Sequence, residues 1–224
     1  MSTLQEETRD WVVHDRMFRE ANMYRRIADT ASEQNLPQTA AALPYASEKH
    51  RGQTRKGHER IPYINHPLLV TCHAMALGIT EDSVLAACLL HDVCEDCGVR
   101  PEDLPVEEHT KETVRLVTKG DWPEAERGRM LERYYEGISH SRDAMIVKML
   151  DRCNNISDMT SAFCDSKMAE YINETERYVM PLLNTLRKKY PETGNAVFLV
   201  KYQMRTVLTS LKRMLYEKAE ANPE

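Results

Sequence analysis

Apolar residues along this chain recur at steps of three and four, and nowhere alternate convincingly with polar ones, so helices are expected nearly throughout. Trp11, Met17 and Ile27 mark an amphipathic N-terminal helix that should end before Leu36-Pro37. Residues 39–52 read as a second helix, and residues 52–64 as a polar, basic connection. His66-Pro67 opens the next helix, with Pro67 suited to a first turn and Gly78 as its stop. Thr80 is placed to cap another, which carries Glu81 and Asp82 in its first turn and runs through His91 to about Gly98. Further helices are expected over 106–118, 123–138, 143–163, 167–189 and 194–221. In the last, Val197, Val200, Met204, Leu208, Leu211 and Leu215 form one stripe, which predicts packing on the core in preference to a dimer seam. The fold class is therefore all-α.

Length and charge narrow the picture. A chain of 224 residues suits one well-buried domain, here with a helical extension over residues 1–39 and a C-terminal helix over 191–224. The net charge of −5 argues against a nucleic-acid partner. No apolar run is long enough to span a membrane, and the polar start MSTLQEETRD is unlike a secretory signal, so a cytoplasmic protein is expected. The six cysteines are scattered through helical stretches and read as reduced. Cys94 and Cys97 form a CxxC without a second Cys/His pair, which favours two small helix residues over a zinc or redox site.

The candidate chemistry begins at LLHDVCEDCG, residues 89–98. The apolar run 84–90 leads straight into His91-Asp92 and then Glu95-Asp96, with no Lys or Arg between Glu81 and Val99. Carboxylates in an apolar wall need a positive partner. Asp151 repeats the pattern after the run 145–150, with Asn154, Asn155 and Asp158 sharing its helix face. Two imidazoles and two carboxylates from three helices, His66, His91, Asp92 and Asp151, make a plausible ligand set. A divalent cation would supply the missing charge, and mixed nitrogen and oxygen donors suit manganese, iron or zinc better than calcium. A His-Asp pair alone is also compatible with a capped helix end and a distant arginine partner. Lys49, Arg51, Arg55, Lys56 and Arg60 crowd the stretch before His66 and could hold phosphate, although a charge run is more often a solvated face. Lys148 and Arg152 flank Asp151 and are expected to neutralise neighbouring acids.

Taken together, HRGQTRKGHERIPYINHPLLV (50–70), AACLLHDVCEDCGV (86–99), VTKG (117–120) and IVKMLDRCNNIS (146–157) resemble the HD-superfamily hydrolase domain of the RelA/SpoT-type alarmone enzymes, in its small stand-alone form. The resemblance extends weakly through YINETERYVMPL (171–182) and places the HD core over about residues 40–190. It implies an all-α HD-type helical bundle, one manganese ion, and hydrolysis of the 3′-pyrophosphate of guanosine tetra- or pentaphosphate. By motif it implies His66, His91, Asp92 and Asp151 as metal ligands, and Glu95 and Asp96 as the acids acting on the attacking water. It also implies Arg55, Lys56, Asn155 and Lys167 as contacts to the nucleotide. Asn154 stands where the family's DRLHN has histidine, Asp158 where threonine is common, and RKGHERIPY is a longer loop. These departures touch the substrate pocket and leave the metal set intact. The rival readings are a phosphatase or phosphodiesterase of the same superfamily and a non-enzymatic nucleotide sensor.

Overall fold

The computed structural model describes residues 16–56 and 58–221. Trp11 lies outside them. The helices are α1 (Glu20–Glu33), α2 (Pro37–Lys49), α3 (Asn65–Ala76), α4 (Asp82–Leu90), the single turn α5 (Val93–Asp96), α6 (Glu108–Val117), α7 (Arg127–Ile138), α8 (Arg142–Ala162), α9 (Asp165–Glu174), α10 (Met180–Lys189) and α11 (Gly194–Ala221). A 3-10 turn at Arg16–Phe18 precedes α1, and a π turn at Thr175–Val179 joins α9 to α10. The expectation of an all-α fold holds.

The most apolar helix takes the centre. Every residue of α4 from Val84 to Leu90 is fully buried, as expected for a helix without a polar face. It packs against α2, α3, α6 and α8. Met145, Ile146, Val147, Met149, Leu150 and Cys153 bury one side of α8 in the same core. α11 lays its stripe on α8, with Val197, Val200, Met204, Leu208 and Leu211 buried and Leu215 partly so, which is core packing as expected.

Four local expectations are corrected. The connection over 52–64 contains a small antiparallel hairpin, β1 (Thr54–Arg55) and β2 (His58–Pro62), irregular between Thr54 and Arg55. Its polar sequence lacks the alternation that marks a half-buried strand. The second helix starts earlier, with Pro37 in its first turn, and ends at Lys49. Thr80 does not cap α4; Glu81 takes the cap position without a side-chain bond. The Asp82 carboxylate instead accepts from the backbone N–H groups of Gln38 (2.9 Å) and Thr39 (2.8 Å), so a residue of α4 caps α2. Finally, the helix expected to run from 80 to 98 is interrupted at His91-Asp92 and resumes as α5. Ser141 caps α8 by accepting from Ala144 N.

Candidate metal centre and active site

The start of one helix, the break between two others and the middle of a fourth meet at one point. His66 lies in the first turn of α3, His91-Asp92 at the break between α4 and α5, and Asp151 midway along α8. His66 Nε2 is 3.1 Å from His91 Nε2, 3.4 Å from Asp92 Oδ2 and 3.3 Å from Asp151 Oδ1. His91 Nε2 is 3.1 Å from Asp92 Oδ2 and 3.7 Å from Asp151 Oδ1.

The hydrogen bonds behind these atoms fix what they are. His91 Nδ1 donates to the Cys88 carbonyl at 2.8 Å, and His66 Nδ1 to Asn154 Oδ1 at 2.5 Å. Each neutral ring therefore turns the lone pair of Nε2 toward the two carboxylates. With both rings neutral, as metal binding requires, four acceptors converge; without a metal, a proton on His91 takes the place of the cation. Donors that each stand about 2.1 Å from one ion lie about 3.0–3.4 Å apart, close to the spacings here. The metal-free electrostatics agree: burial, the largest influence on His91, disfavours its charge, yet Asp92 and Asp151 overcome it and hold its pKa well above the ordinary value. Both carboxyls lie below their usual range despite burial; His91 is the main counterweight for Asp92, and Lys148 for Asp151. His66, His91 and Asp92 thus form a group able to hold a divalent metal, and Asp151 faces it.

Polar partners orient the donors. The Tyr63 hydroxyl donates to Asp92 Oδ2 at 2.7 Å, Lys148 Nζ to Asp151 Oδ2 at 2.8 Å, and Asn155 Nδ2 to Asp151 Oδ1. The Glu95 carboxylate accepts from Lys119 N at 3.0 Å. Although Glu95 is exposed as a residue, desolvation of its carboxyl raises its pKa; the Lys119 N–H opposes this and Asp92 and Asp96 reinforce it. Asp96 is next on the same turn, and its carbonyl accepts from Gln53 at 3.3 Å.

Among the residues expected to meet the nucleotide, Arg55 and Asn155 come together: Arg55 Nη2 donates to Asn155 Oδ1 at 3.3 Å and lies 3.5 Å from Asp158 Oδ2. Lys56 stands exposed at the hairpin turn. Lys167 is not drawn to this group; its ammonium donates to Glu170 at 3.0 Å on the surface. The basic run is largely a solvated face: Arg51 pairs with Glu48, and Lys49 lies over the Tyr45 ring. The side chains of residues 58–60, Arg60 included, lie outside the described set. Cys94 is a half-buried residue of α5, and Cys97 is a half-buried residue just beyond its end.

The residues missed by sequence reasoning are Tyr63, Lys119 and Glu174. They lie within PYINHP, VTKG and YINETERYVMPL, but only contacts between elements give them roles. Glu174 Oε1 accepts from Lys119 Nζ (2.7 Å), Tyr135 OH (2.6 Å) and Arg152 Nη2 (2.5 Å). The fully buried Arg152 guanidinium sits 3.8 Å from the Tyr171 ring centroid. Burial alone would raise the Glu174 pKa, but Arg152 and Lys119 hold it at about 2, against an ordinary 4.5. A depressed carboxyl pKa contributes stability above the ordinary value that is lost as pH falls toward the folded one. That interval corresponds to roughly 3 kcal/mol. Glu174→Gln is therefore expected to lower the melting temperature at neutral pH and to flatten its decline between about pH 4.5 and 2. An unchanged melting curve across that range would show that the network adds nothing.

Known proteins share this arrangement of segments. The HD domain model matches residues 63–156. Over 162 residues the chain is 33% identical to guanosine-3′,5′-bis(diphosphate) 3′-pyrophosphohydrolase MESH1 of Danio rerio, covering 68% of this chain and 88% of that protein. The chain belongs to the HD-domain family of MESH1. The Xenopus tropicalis MESH1 is 34% identical over 155 residues, covering 64% and 84% of the two chains. A solved metazoan ortholog of SpoT, which hydrolyzes ppGpp and plays a role in starvation responses, has a TM-score of 0.55 at 28% identity, covering 69% of this HD protein and 94% of that chain. In this HD domain, the matched span contains all four converging donors and the Glu95-Asp96 pair.

Proposed function

We propose that this chain hydrolyses guanosine-3′,5′-bis(diphosphate), or its pentaphosphate, at the 3′ side, releasing pyrophosphate and leaving the 5′ phosphates in place. The observation that carries the reading is the convergence of four acceptors beside an acid pair one turn away, in a chain whose MESH1 relatives are named for this reaction. His66, His91, Asp92 and Asp151 would hold one manganese ion, which suits their mixed nitrogen and oxygen donors. Such an ion supplies Lewis acidity and an acidified water.

The chain's own groups do the rest. Tyr63, Lys148 and Asn155 hold the two aspartates in position. Glu95, with its raised pKa and its anchor on Lys119 N–H, accepts the proton of the attacking water. Asp96, next on the turn, assists in returning a proton to the leaving ribose oxygen. Arg55 binds phosphate charge and Asn155 orients it; Lys56 and Lys167 reach the nucleotide only by side-chain rearrangement. The same reading makes the protein a cytoplasmic enzyme of free nucleotides, in keeping with its net charge of −5 and with no described helix being long and apolar enough to cross a membrane. The test is product analysis on 3′- and 5′-phosphorylated nucleotides with manganese. Pyrophosphate and GDP are expected from the tetraphosphate. Orthophosphate released only from 5′ positions would favour a phosphatase of the same superfamily, and tight binding without turnover a sensor.

A further inference from the structure

Glu95 is anchored by a backbone group that lies outside any helix. α6 ends at Val117, the chain turns extended at Thr118, and residues 118–123 carry no regular structure. Yet Lys119 N–H meets Glu95 Oε2 at 3.0 Å. What fixes Lys119 is its own side chain. The ammonium donates to Glu174 Oε1 at 2.7 Å and lies 5.7 Å from the Tyr134 ring centroid. Glu174, the last residue of α9, also accepts from Tyr135 OH of α7 at 2.6 Å and from Arg152 Nη2 at 2.5 Å. Arg152 is fully buried in α8, directly after Asp151. A line of short contacts therefore runs from the helix of Asp151 through Glu174 and Lys119 to Glu95.

We propose that Lys119 and Glu174 are positioning residues whose ion pair sets where Glu95 stands relative to the metal centre. The inference rests on the hydrolase reading above, in which Glu95 takes the proton of the attacking water. Proton transfer depends steeply on placement, and an error of about 1 Å can cost on the order of 10²-fold. A loop without regular structure gives no such precision by itself. An ion pair to a carboxylate locked by a buried guanidinium does. The charged and titratable groups facing the Glu95 carboxyl are Asp92 and Asp96 of its own turn, Lys148 of α8 and Tyr134 of α7. None of them is altered by changing Lys119 or Glu174.

The test compares Lys119→Met, Lys119→Arg and Glu174→Gln with wild type, alone and combined with Glu95→Gln. The kinetic readouts are kcat, KM and the acid limb of the pH profile on guanosine-3′,5′-bis(diphosphate) with manganese. Hydrogen exchange of the residue 119 amide is followed by NMR without substrate. Lys119→Met leaves Glu174 its Arg152 and Tyr135 partners, so this variant should fold even where Glu174→Gln melts early. It should lower kcat by about 10- to 100-fold with KM and metal content unchanged, and speed the amide exchange by about tenfold or more. Lys119→Arg should restore most of both. In the Glu95→Gln background, Lys119→Met should cost almost nothing further, because it acts through Glu95.

The acid limb supplies a sign. The N–H bond favours the carboxylate, so losing it raises the Glu95 pKa and moves the limb to higher pH. Glu174→Gln removes a negative charge, which by charge alone would move the limb to lower pH. An upward shift in both Lys119→Met and Glu174→Gln is expected. A downward shift in Glu174→Gln, or Lys119→Met losses that add in full to those of Glu95→Gln, would overturn the proposal. Quickened exchange in a protein that turns over no nucleotide would keep the anchor and discard the hydrolase reading. Pyrophosphate release with kcat, limb and exchange indifferent to Lys119 would do the reverse. A wild-type rate in Glu95→Gln would remove the base and the proposal with it.

Discussion

Asp151→Asn is expected to lose metal and turnover together, and to cost stability as well. Its Oδ1 faces both imidazoles, while its Oδ2 accepts from Lys148, an ammonium with almost no solvent access. A neutral carboxamide removes an anionic donor and leaves Lys148 buried without its countercharge. Breaking a buried pair from one side typically costs about 3–5 kcal/mol. The two losses separate in the double variant Asp151→Asn with Lys148→Met, which should regain stability without regaining metal or activity. Metal content, melting temperature and rate on the same samples decide it. A metal-replete Asp151→Asn protein with the wild-type rate would remove Asp151 from the ligand set.

The second large effect lies at the acid pair. Glu95→Gln preserves a carbonyl oxygen for the Lys119 N–H, and Asp96→Asn preserves shape, so both should keep fold and metal. Each should nevertheless lose on the order of 10²-fold or more in turnover. In the proposed reaction Glu95 acts in its deprotonated form, so the wild-type rate should fall as pH drops through its pKa. Desolvation places that limb above the ordinary glutamate value. Glu95→Gln should abolish the limb along with most of the rate. Wild-type turnover in both variants would make the pair structural and leave the proposed proton transfer without a base.

The candidate donor set is legible in the sequence in part because His91-Asp92 and Asp151 sit where an apolar run meets polar residues. Val84 to Leu90 and Met145 to Leu150 are buried almost completely, so His91 and Asp151, directly after these runs, are forced into the interior. Local pattern also carries α8 and α11 to within a residue of their ends. The features that sequence reasoning misses depend on contacts between elements. The hairpin at 54–62 is brief and polar, yet it carries Arg55 to Asn155. Asp82 looks like a first-turn acid of its own helix and instead caps α2. Lys119 reaches Glu95 through its backbone and Glu174 through its ammonium, two roles that no spacing rule encodes. Lys167 shows the opposite case, a motif position whose side chain turns to Glu170 on the surface.

The donors at residues 66, 91, 92 and 151 come from chain segments that meet only in the folded state. A cation seated among them is then a tertiary cross-link, closing long loops of chain whose ends would otherwise separate on unfolding. In the unfolded chain those ligands are dispersed, so affinity for the cation is affinity for the folded arrangement. Each tenfold excess of cation over its dissociation constant then adds about 1.4 kcal/mol to the folding free energy. Metal supply would set the stability of the fold as well as its catalytic rate.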